Sequence, residues 1–224
     1  MRTRLPLILL FAALSLSTHA QQPQPQPQSQ SRPTSDPYRG DLSIFEEPGR
    51  DKRLQIDRVM DLLHITSGKT VADIGAGSGW FTVRAARRVG PSGQIFAEDI
   101  NPEATRAIET RARKENLPNI HSILGTVDDP ALPAASTDIV MMLKVYHEIA
   151  HPIPFMQHLR QSLRPGARIA IIDRNGSGSG TDHGLPQGTL EKEMREAGYR
   201  RLAQYDFTKG DGQDYFLIFE PLPN

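Results

Sequence analysis

The chain contains no cysteine and has no excess of charge of either sign. The absence of cysteine excludes disulfide bonds, thiolate metal sites and a cysteine nucleophile. The 26 basic and 26 acidic residues cancel, which argues against an electrostatic grip on nucleic acid. The length of 224 residues is enough for one domain with a substantial core and additional tails.

The N-terminus has the pattern of a secretory signal peptide over residues 1–20. Arg2 and Arg4 give a positive start, and the apolar run that follows is too short to span a bilayer comfortably. Thr18 and Ala20 place small residues at the two positions that a signal peptidase reads. We therefore expect cleavage after Ala20, export to the periplasm or beyond, and no stable membrane insertion of the mature chain. An uncleaved N-terminal anchor is the alternative.

Glutamine, proline and serine dominate residues 21–37. This segment has no apolar side chains to bury and is predicted to be a disordered spacer. The folded domain is then expected to cover residues 38–224.

The stretch at residues 71–80, Val-Ala-Asp-Ile-Gly-Ala-Gly-Ser-Gly-Trp, organises the domain. An apolar strand leads through Asp73 into a glycine turn, and a helix is predicted to begin near Ser78. Glycines let a ligand approach the backbone closely, and the helix start presents free N–H groups to it. A carboxylate two residues before the first glycine would repel a pyrophosphate but would suit a ligand with an ammonium group.

This stretch resembles motif I of the class I S-adenosylmethionine-dependent methyltransferases. The resemblance implies that the methionine end of S-adenosylmethionine is held by Asp73, Gly75, Gly77 and Gly79. From the glycines alone, a tight turn in an unrelated α/β protein is the alternative.

The second predicted strand, residues 94–100, ends in two acids. A carboxylate at this point can accept hydrogen bonds from both hydroxyls of a ribose. The resemblance places that role on Asp99, with Ile100 beside it in the cofactor site, while Glu98 stands where the family more often has an apolar residue. Capping of the next helix is the alternative role for the strand-end acid.

The loop after the third predicted strand, residues 119–124, is implied by the resemblance to hold the adenine. Asp128 would accept a hydrogen bond from the exocyclic amine of the adenine, and Thr126 and Val127 would supply backbone and apolar contacts. Asp129 precedes a proline and is expected only to start the turn.

The acceptor is expected where the fourth predicted strand, residues 136–143, ends, because ligands of open α/β sheets bind outside the carboxyl ends of the strands. Tyr146 and His147 follow this strand, and His147 is a candidate general base. Asp173, at the end of the strand predicted over residues 168–173, would orient a base or a substrate amine. Alternatively, Tyr146 and His147 form only the pocket wall and cap a helix.

The loop at residues 175–188 is rich in glycine and serine and is expected to be mobile above the same edge. Its His183 is a second candidate base, although a lone loop histidine is more often simply solvated.

Strands and helices alternate along the domain, which predicts a parallel α/β sheet. The expected fold is a Rossmann-like, doubly wound, seven-stranded sheet that is mostly parallel and has an antiparallel last strand. A helix over residues 51–63 would cover the pocket or only pack. The last helix is expected to have Thr189 as its N-cap, and residues 209–212 to form the turn of the final hairpin.

The function predicted from this pattern is methyl transfer from S-adenosylmethionine to a small-molecule acceptor. The alternative is a non-catalytic module of the same fold that binds S-adenosylmethionine or a nucleoside. Asp73 and the absence of a glycine at the sixth motif position disfavour a nicotinamide-dependent oxidoreductase. No nucleic-acid partner is expected, because the arginines of residues 102–116 are interleaved with acids. No metal site is expected, because the acidic residues near the pocket do not have a convincing ligand spacing. The oligomeric state is not predicted.

Overall fold

Buried apolar strands and amphipathic helices alternate in the computed structural model, which describes Tyr38, residues 40–176 and residues 183–223. The predictions of a signal peptide and a spacer, on residues 1–20 and 21–37, lie outside the described residues. Across the described ranges, no helix combines the length and the apolar character needed to cross a bilayer.

The seven strands are β1 Thr70–Ile74, β2 Gln94–Asp99, β3 Ile120–Leu124, β4 Thr137–Leu143, β5 Leu163–Asp173, β6 Tyr199–Tyr205 and β7 Tyr215–Pro221. The α-helices are α1 Arg50–Leu54, α2 Ile56–Leu62, α3 Trp80–Val89, α4 Pro102–Lys114, α5 Pro152–Ser162 and α6 Gln187–Glu196. Short 3₁₀ helices cover Leu42–Glu46, Tyr146–Glu148 and Phe207–Asp211.

The strands form one sheet in the order β3-β2-β1-β4-β5-β7-β6. Strands β1 to β5 pair in parallel, whereas β7 runs antiparallel to both β5 and β6. The predicted fold is therefore confirmed. The strand order changes direction between β1 and β4, so the connections that follow these two strands leave in opposite directions. The crevice between these connections is where such sheets bind ligands.

The central strand β1 is buried along its whole length because both faces of the sheet are covered. Val71 packs into a cluster with residues of α2 and α3, such as Val59 and Phe81. Its neighbour Ala72 points to the opposite face, where the cluster contains residues of α5 and α6. This double cover fixes the strand ends, and with them the turns that follow.

The helix expected over residues 51–63 is broken at Gln55, which has the left-handed φ of 52°. The Gln55 side chain donates to the carbonyl of Phe207 at 3.2 Å. The prediction of a tight hairpin turn at residues 209–212 is also wrong, because a 3₁₀ helix over Phe207–Asp211 occupies this region. A tertiary contact between the two segments therefore accompanies both departures from the local pattern.

Helix α6 begins two residues before Thr189, which is not its N-cap. Pro186 stands at the cap position and offers no side-chain acceptor. Instead, Asn175 Oδ1 accepts the N–H of Gln187 at 3.1 Å. The cap is supplied by a residue twelve positions earlier, which the local sequence pattern does not reveal.

Candidate active site

A cavity of about 780 Å³ opens at the carboxyl ends of β1, β2, β4 and β5. Residues from all four strand ends line it, together with the N-terminal segment that includes Tyr38, Phe45 and Arg50. The predicted site residues in the lining are Asp73, Gly75, Gly77, Asp99, Ile100, Thr126, Val127, His147 and Asp173. Tyr38 and residues 40–50 thus cover one side of the cavity, whereas residues 51–63, which were expected to cover the pocket or only to pack, contribute nothing to its described lining and pack into the core.

The turn after β1 depends on glycine at Gly75. Its φ is 64°, a conformation that residues with a side chain adopt at a cost. A Cβ at this position would also overlap the side chain of Val145. The turn continues through Gly77, whose N–H donates to Asp99 Oδ2 at 2.9 Å. The turn after β1 and the end of β2 are thereby tied together.

We expect Gly75→Ala to destabilise the protein more than Gly166→Ala does. Both positions have a positive φ, which costs a non-glycine residue about 1–3 kcal/mol. Only Gly75 adds the overlap with Val145, since nothing lies within 4 Å of a Cβ at Gly166. Overpacking of this kind costs about 1–3 kcal/mol more. Urea unfolding of both variants measures the difference, and equal losses would contradict the role of the Val145 contact.

Three carboxyl groups meet at the ends of β1 and β2. Asp73 is only 2% exposed and accepts the Thr82 hydroxyl at 2.6 Å. Burial, reinforced by the negative charge of Asp99, outweighs this bond and raises the pKa of Asp73 to about 7. Glu98 is equally buried, and the same two causes raise its pKa well above its usual range. The β2 end therefore carries a second acid in the cavity lining, beside the predicted Asp99.

Asp99 braces the two turns that flank it. Its Oδ1 accepts the N–H of Asn101 at 2.9 Å, and its Oδ2 accepts that of Gly77. The cap of α4 is Asn101, which accepts the N–H of Glu103 at 2.9 Å. Burial raises the pKa of Asp99 despite these bonds. Asp99 therefore holds the turn before α4, while the helix cap itself belongs to Asn101.

The loop after β3 contributes Thr126 and Val127 to the lining. Among the described residues, Asp128 is not part of the lining; its Oδ1 lies 2.6 Å from His151 Nδ1. Asp129 accepts a backbone N–H two residues on, as a turn-starting aspartate does. The two predicted contacts at 126 and 127 face the cavity, whereas Asp128 already has a protein partner.

Gly79 and Tyr146 also lie outside the described part of the lining. Gly79 stands at the N-cap of α3 with a φ of 77°. Tyr146 has no exposed surface and belongs to the core cluster on the α5 and α6 face of the sheet. Both residues shape the elements around the cavity rather than its surface.

His147 and Asp173 form a buried pair at the ends of β4 and β5. His147 Nδ1 lies 2.8 Å from Asp173 Oδ1 and 2.9 Å from Oδ2, and the His147 backbone N–H donates to the same carboxylate. His147 Nε2 lies 3.1 Å from His183 Nδ1 and 3.2 Å from Glu148 Oε1. The structure thus joins two predicted residues and adds Glu148 and the loop histidine His183.

The protonation of His147 follows from these neighbours. Burial lowers the pKa of the imidazole, but the carboxylates of Asp173 and Glu148 outweigh it and raise the pKa to about 9. Without a ligand the ring carries a positive charge at neutral pH. A general base at this position has to lose that proton first.

Sequence reasoning missed the charged wall, a cluster of Arg50, Lys144 and Asp211 of which Arg50 and Lys144 line the cavity. Arg50 is 6% exposed, stacks 4.4 Å from the Trp80 ring and donates to Asp211 at 3.3 Å. Lys144 lies 3.5 Å from the same carboxylate and has a φ of 60°, which is unusual for a non-glycine residue. The one available signal was the position of Lys144, directly after the fourth strand.

The seven-stranded sheet, the glycine turn and the acids at the end of β2 define a class I S-adenosylmethionine-dependent methyltransferase. The resemblance seen in the sequence is confirmed, because the model of a family described as a methyltransferase domain matches residues 65–215. The chain belongs to this family. S-adenosylmethionine is the cofactor of its class.

Two named relatives are similar to parts of the chain. Nocamycin O-methyltransferase of Saccharothrix syringae is 33% identical over 117 residues, which cover 51% of this chain and 41% of that protein. Aklanonic acid methyltransferase of Streptomyces sp. (strain C5) is 33% identical over 84 residues, which cover 38% of each chain. The chain therefore spans less than half the length of these curated relatives.

Solved structures share the fold at low sequence identity. A methyltransferase from Aquifex aeolicus described as dependent on S-adenosylmethionine has a TM-score of 0.72 and 21% identity, with 80% of this chain and 95% of that chain covered. The [4+2]-cyclase SpnF has a TM-score of 0.65 and 14% identity, with 87% of both chains covered. The same fold thus occurs in a protein named for a different reaction.

Proposed function

We propose that the protein transfers a methyl group from S-adenosylmethionine to a small-molecule acceptor. One observation carries the proposal: the glycine turn with Asp99 and the His147–Asp173 pair line a single cavity. Its volume of about 780 Å³ falls within the range of roughly 300–1,000 Å³ for small-molecule sites. An acceptor seated against His147 would share this space with the methyl group of the cofactor.

The three parts of the cofactor are assigned to three turns. The turn after β1 takes the methionine end (Asp73, Gly75, Gly77, Gly79), the end of β2 takes the ribose (Asp99, Ile100), and the loop after β3 takes the adenine (Thr126, Val127, Asp128). Each carboxylate oxygen of Asp99 accepts one backbone N–H and keeps a second lone pair for a ribose hydroxyl. When the cofactor binds, Asp128 would give up its contact with His151 and accept a hydrogen bond from the adenine amine.

The reaction is an in-line displacement at the methyl carbon of the sulfonium. The acceptor atom forms a bond to this carbon, the carbon–sulfur bond breaks, and its electron pair stays on sulfur to give S-adenosylhomocysteine. Because the sulfonium is already a strong electrophile, the protein contributes mainly positioning. A proton on the acceptor has to leave, and the His147–Asp173 pair lies where it would be removed. Tyr146 is fully buried and lies outside the described lining, so it would support the site from the core rather than contact the acceptor.

A transfer experiment tests the size of the acceptor. The protein is incubated with methyl-labelled S-adenosylmethionine and a cell extract that has been separated by dialysis into small-molecule and macromolecular fractions. We expect label in the small-molecule fraction, in line with the small-molecule names of the two bacterial relatives. Label only in protein or nucleic acid would contradict the proposed acceptor class.

Cofactor binding is expected to weaken as the pH falls below 7. With a pKa of about 7, Asp73 loses its charge on acidification and can no longer attract the ammonium of the cofactor. If only the ionised form binds well, the apparent affinity drops about tenfold between pH 8 and pH 6. Calorimetry across this range measures the change. An equally steep dependence in Asp73→Asn would show that another group titrates.

The second candidate is a non-catalytic module that binds the cofactor. It is favoured by the fold shared with SpnF, which shows that this architecture is not tied to one reaction. Binding of S-adenosylmethionine without transfer to any extract fraction would support it. Transfer of label would exclude it.

We propose as well that residues 1–20 direct export of the domain formed by residues 38–224. The support is the positive start, the short apolar run and the small residues Thr18 and Ala20 before the expected cleavage point. N-terminal sequencing of the mature protein is expected to begin at Gln21. An intact Met1 on protein from the cell envelope would instead favour the uncleaved anchor.

A further inference from the structure

We propose that His147, Glu148 and His183 bind a divalent transition-metal ion at the acceptor end of the cavity. Each residue offers one donor atom, and the three atoms lie within 4.8 Å of one another. The separations are 3.1 Å between His147 Nε2 and His183 Nδ1, 3.2 Å between His147 Nε2 and Glu148 Oε1, and 3.0 Å between His183 Nδ1 and Glu148 Oε1. Two imidazoles and one carboxylate form a ligand set that suits such ions.

The triangle formed by His147 Nε2, His183 Nδ1 and Glu148 Oε1 has the size that an ion requires. Donor atoms held about 2.1 Å from a common centre are separated by about 3.0 Å in octahedral and about 3.4 Å in tetrahedral geometry. The three separations, between 3.0 and 3.2 Å, match this range. The three donor atoms are therefore spaced as the ligands of a single ion are.

Hydrogen bonds among these three atoms leave at least one of their three contacts repulsive. Each ring nitrogen has a single in-plane orbital, which carries either a proton or a lone pair. If both rings donate to Glu148, two N–H groups face each other between His147 and His183. If only one of the two nitrogens that face Glu148 carries a proton, the other nitrogen presents its lone pair to the carboxylate. A cation in the centre is attractive to all three atoms at once.

The contact between Asp173 and His147 is an independent observation in favour of a metal-binding histidine. Its carboxylate has no exposed surface and accepts from His147 Nδ1 at 2.8 Å. This bond places the proton of a neutral ring on Nδ1, so that the lone pair of Nε2 points into the triangle. Metal-bound histidines almost always donate their other ring nitrogen to such a group. The charges of Glu148 and Asp173 would together balance a divalent ion.

The ion would remain open to the cavity. All three ligand residues belong to the cavity lining, and the side chains of Glu148 and His183 are 29% and 36% exposed. A site with three protein ligands keeps positions for water or substrate, as catalytic metal sites do. The ion therefore lies where the acceptor would enter.

This placement deepens the proposed function and rests on it for the identity of the acceptor. An acceptor with two adjacent oxygen atoms, such as a hydroxyl next to a carbonyl or a second hydroxyl, would chelate the ion. The ion lowers the pKa of the bound hydroxyl, whose proton passes to solvent. The oxygen then forms the bond to the methyl carbon as the carbon–sulfur bond breaks, and the cofactor leaves as S-adenosylhomocysteine.

The test uses the full chain without a histidine tag and titrates it with Zn²⁺ by calorimetry and with Co²⁺ by visible absorption. We expect one equivalent of either ion to bind. His183→Ala and Glu148→Gln should each weaken binding at least tenfold, while His121→Ala, at an exposed histidine of β3, should not change it. Circular dichroism shows that each variant is folded, and S-adenosylmethionine binding is measured in parallel.

The outcomes separate this site from the proposed function. Protein that binds S-adenosylmethionine but neither ion overturns the metal site and leaves the cofactor assignment standing. Protein that binds an ion through His183 and Glu148 but does not bind S-adenosylmethionine supports the metal site and removes the methyltransferase proposal. Ion binding that survives both substitutions, or that requires His121, also overturns the site.

Discussion

Replacing His147 with glutamine should lower the rate of methyl transfer by about 10²–10⁴-fold, the usual contribution of a positioned proton-transfer group. The reason is the geometry of the His147–Asp173 pair. Asp173 is fully buried and holds the ring through Nδ1, so that Nε2 faces the cavity. Glutamine keeps a polar side chain but cannot present a ring nitrogen in this orientation. The loss is expected whether Nε2 accepts a proton or binds an ion.

The affinity of the His147→Gln variant for S-adenosylmethionine should stay within about threefold of the unaltered protein, well below the tenfold that 1.4 kcal/mol would produce. His121→Gln makes the same exchange at an exposed position of β3 and is expected to change neither quantity. Single-turnover transfer to the active extract fraction measures the rate. A His147→Gln variant with full transfer would remove His147 from the reaction.

Replacing Asp99 with alanine should weaken S-adenosylmethionine binding at least tenfold. The ribose hydroxyls would lose a charged acceptor, and hydrogen bonds to charged groups contribute about 1.5–3 kcal/mol. The variant also leaves the N–H groups of Gly77 and Asn101 without their acceptor, so the turns that flank the site would loosen. Both effects act in the same direction.

A milder variant separates these two effects. Asp99→Asn keeps a side-chain carbonyl that can accept one of the two N–H groups, and a smaller loss of affinity is expected. Asp206→Ala removes an exposed acid next to β6 and serves as the control. Calorimetry measures all three variants. An unchanged affinity in Asp99→Ala would refute the ribose assignment.

The framework of the cavity could be predicted because its signals are local. The apolar run before Asp73, the spacing of the glycines and the acid after the second strand lie within short stretches of the chain. Parallel strands bring their carboxyl ends to one edge of the sheet. The lining therefore contains Asp73, Gly75 and Asp99 as expected.

The acceptor end was predicted only in part because its residues converge from distant segments. His147 and Asp173 were recognised as strand-end residues, but nothing in the local pattern places His183 against Glu148. His183 lies 36 positions after His147 and reaches it through the loop that follows β5. No metal site was expected, because the acids near the pocket lack a convincing ligand spacing along the chain. The cluster of His147, Glu148 and His183 in the structure motivates the opposite proposal.

The charged wall was missed for a similar reason. Arg50 is the first residue of α1, and Asp211 lies in a segment that the pattern assigned to a hairpin turn. The break at Gln55 and the 3₁₀ helix over Phe207–Asp211 accompany the packing that brings them together. The break and the 3₁₀ helix depart from local preferences, so tertiary packing decided the outcome.

The most direct test is a calorimetric titration of the purified protein with S-adenosylmethionine and S-adenosylhomocysteine. The two ligands share the ribose, adenine and amino-acid groups that the three turns are proposed to hold. We predict micromolar binding of both in a one-to-one ratio, weakened by Asp99→Ala. A folded protein that binds neither ligand would contradict the assignment of the cavity to this cofactor.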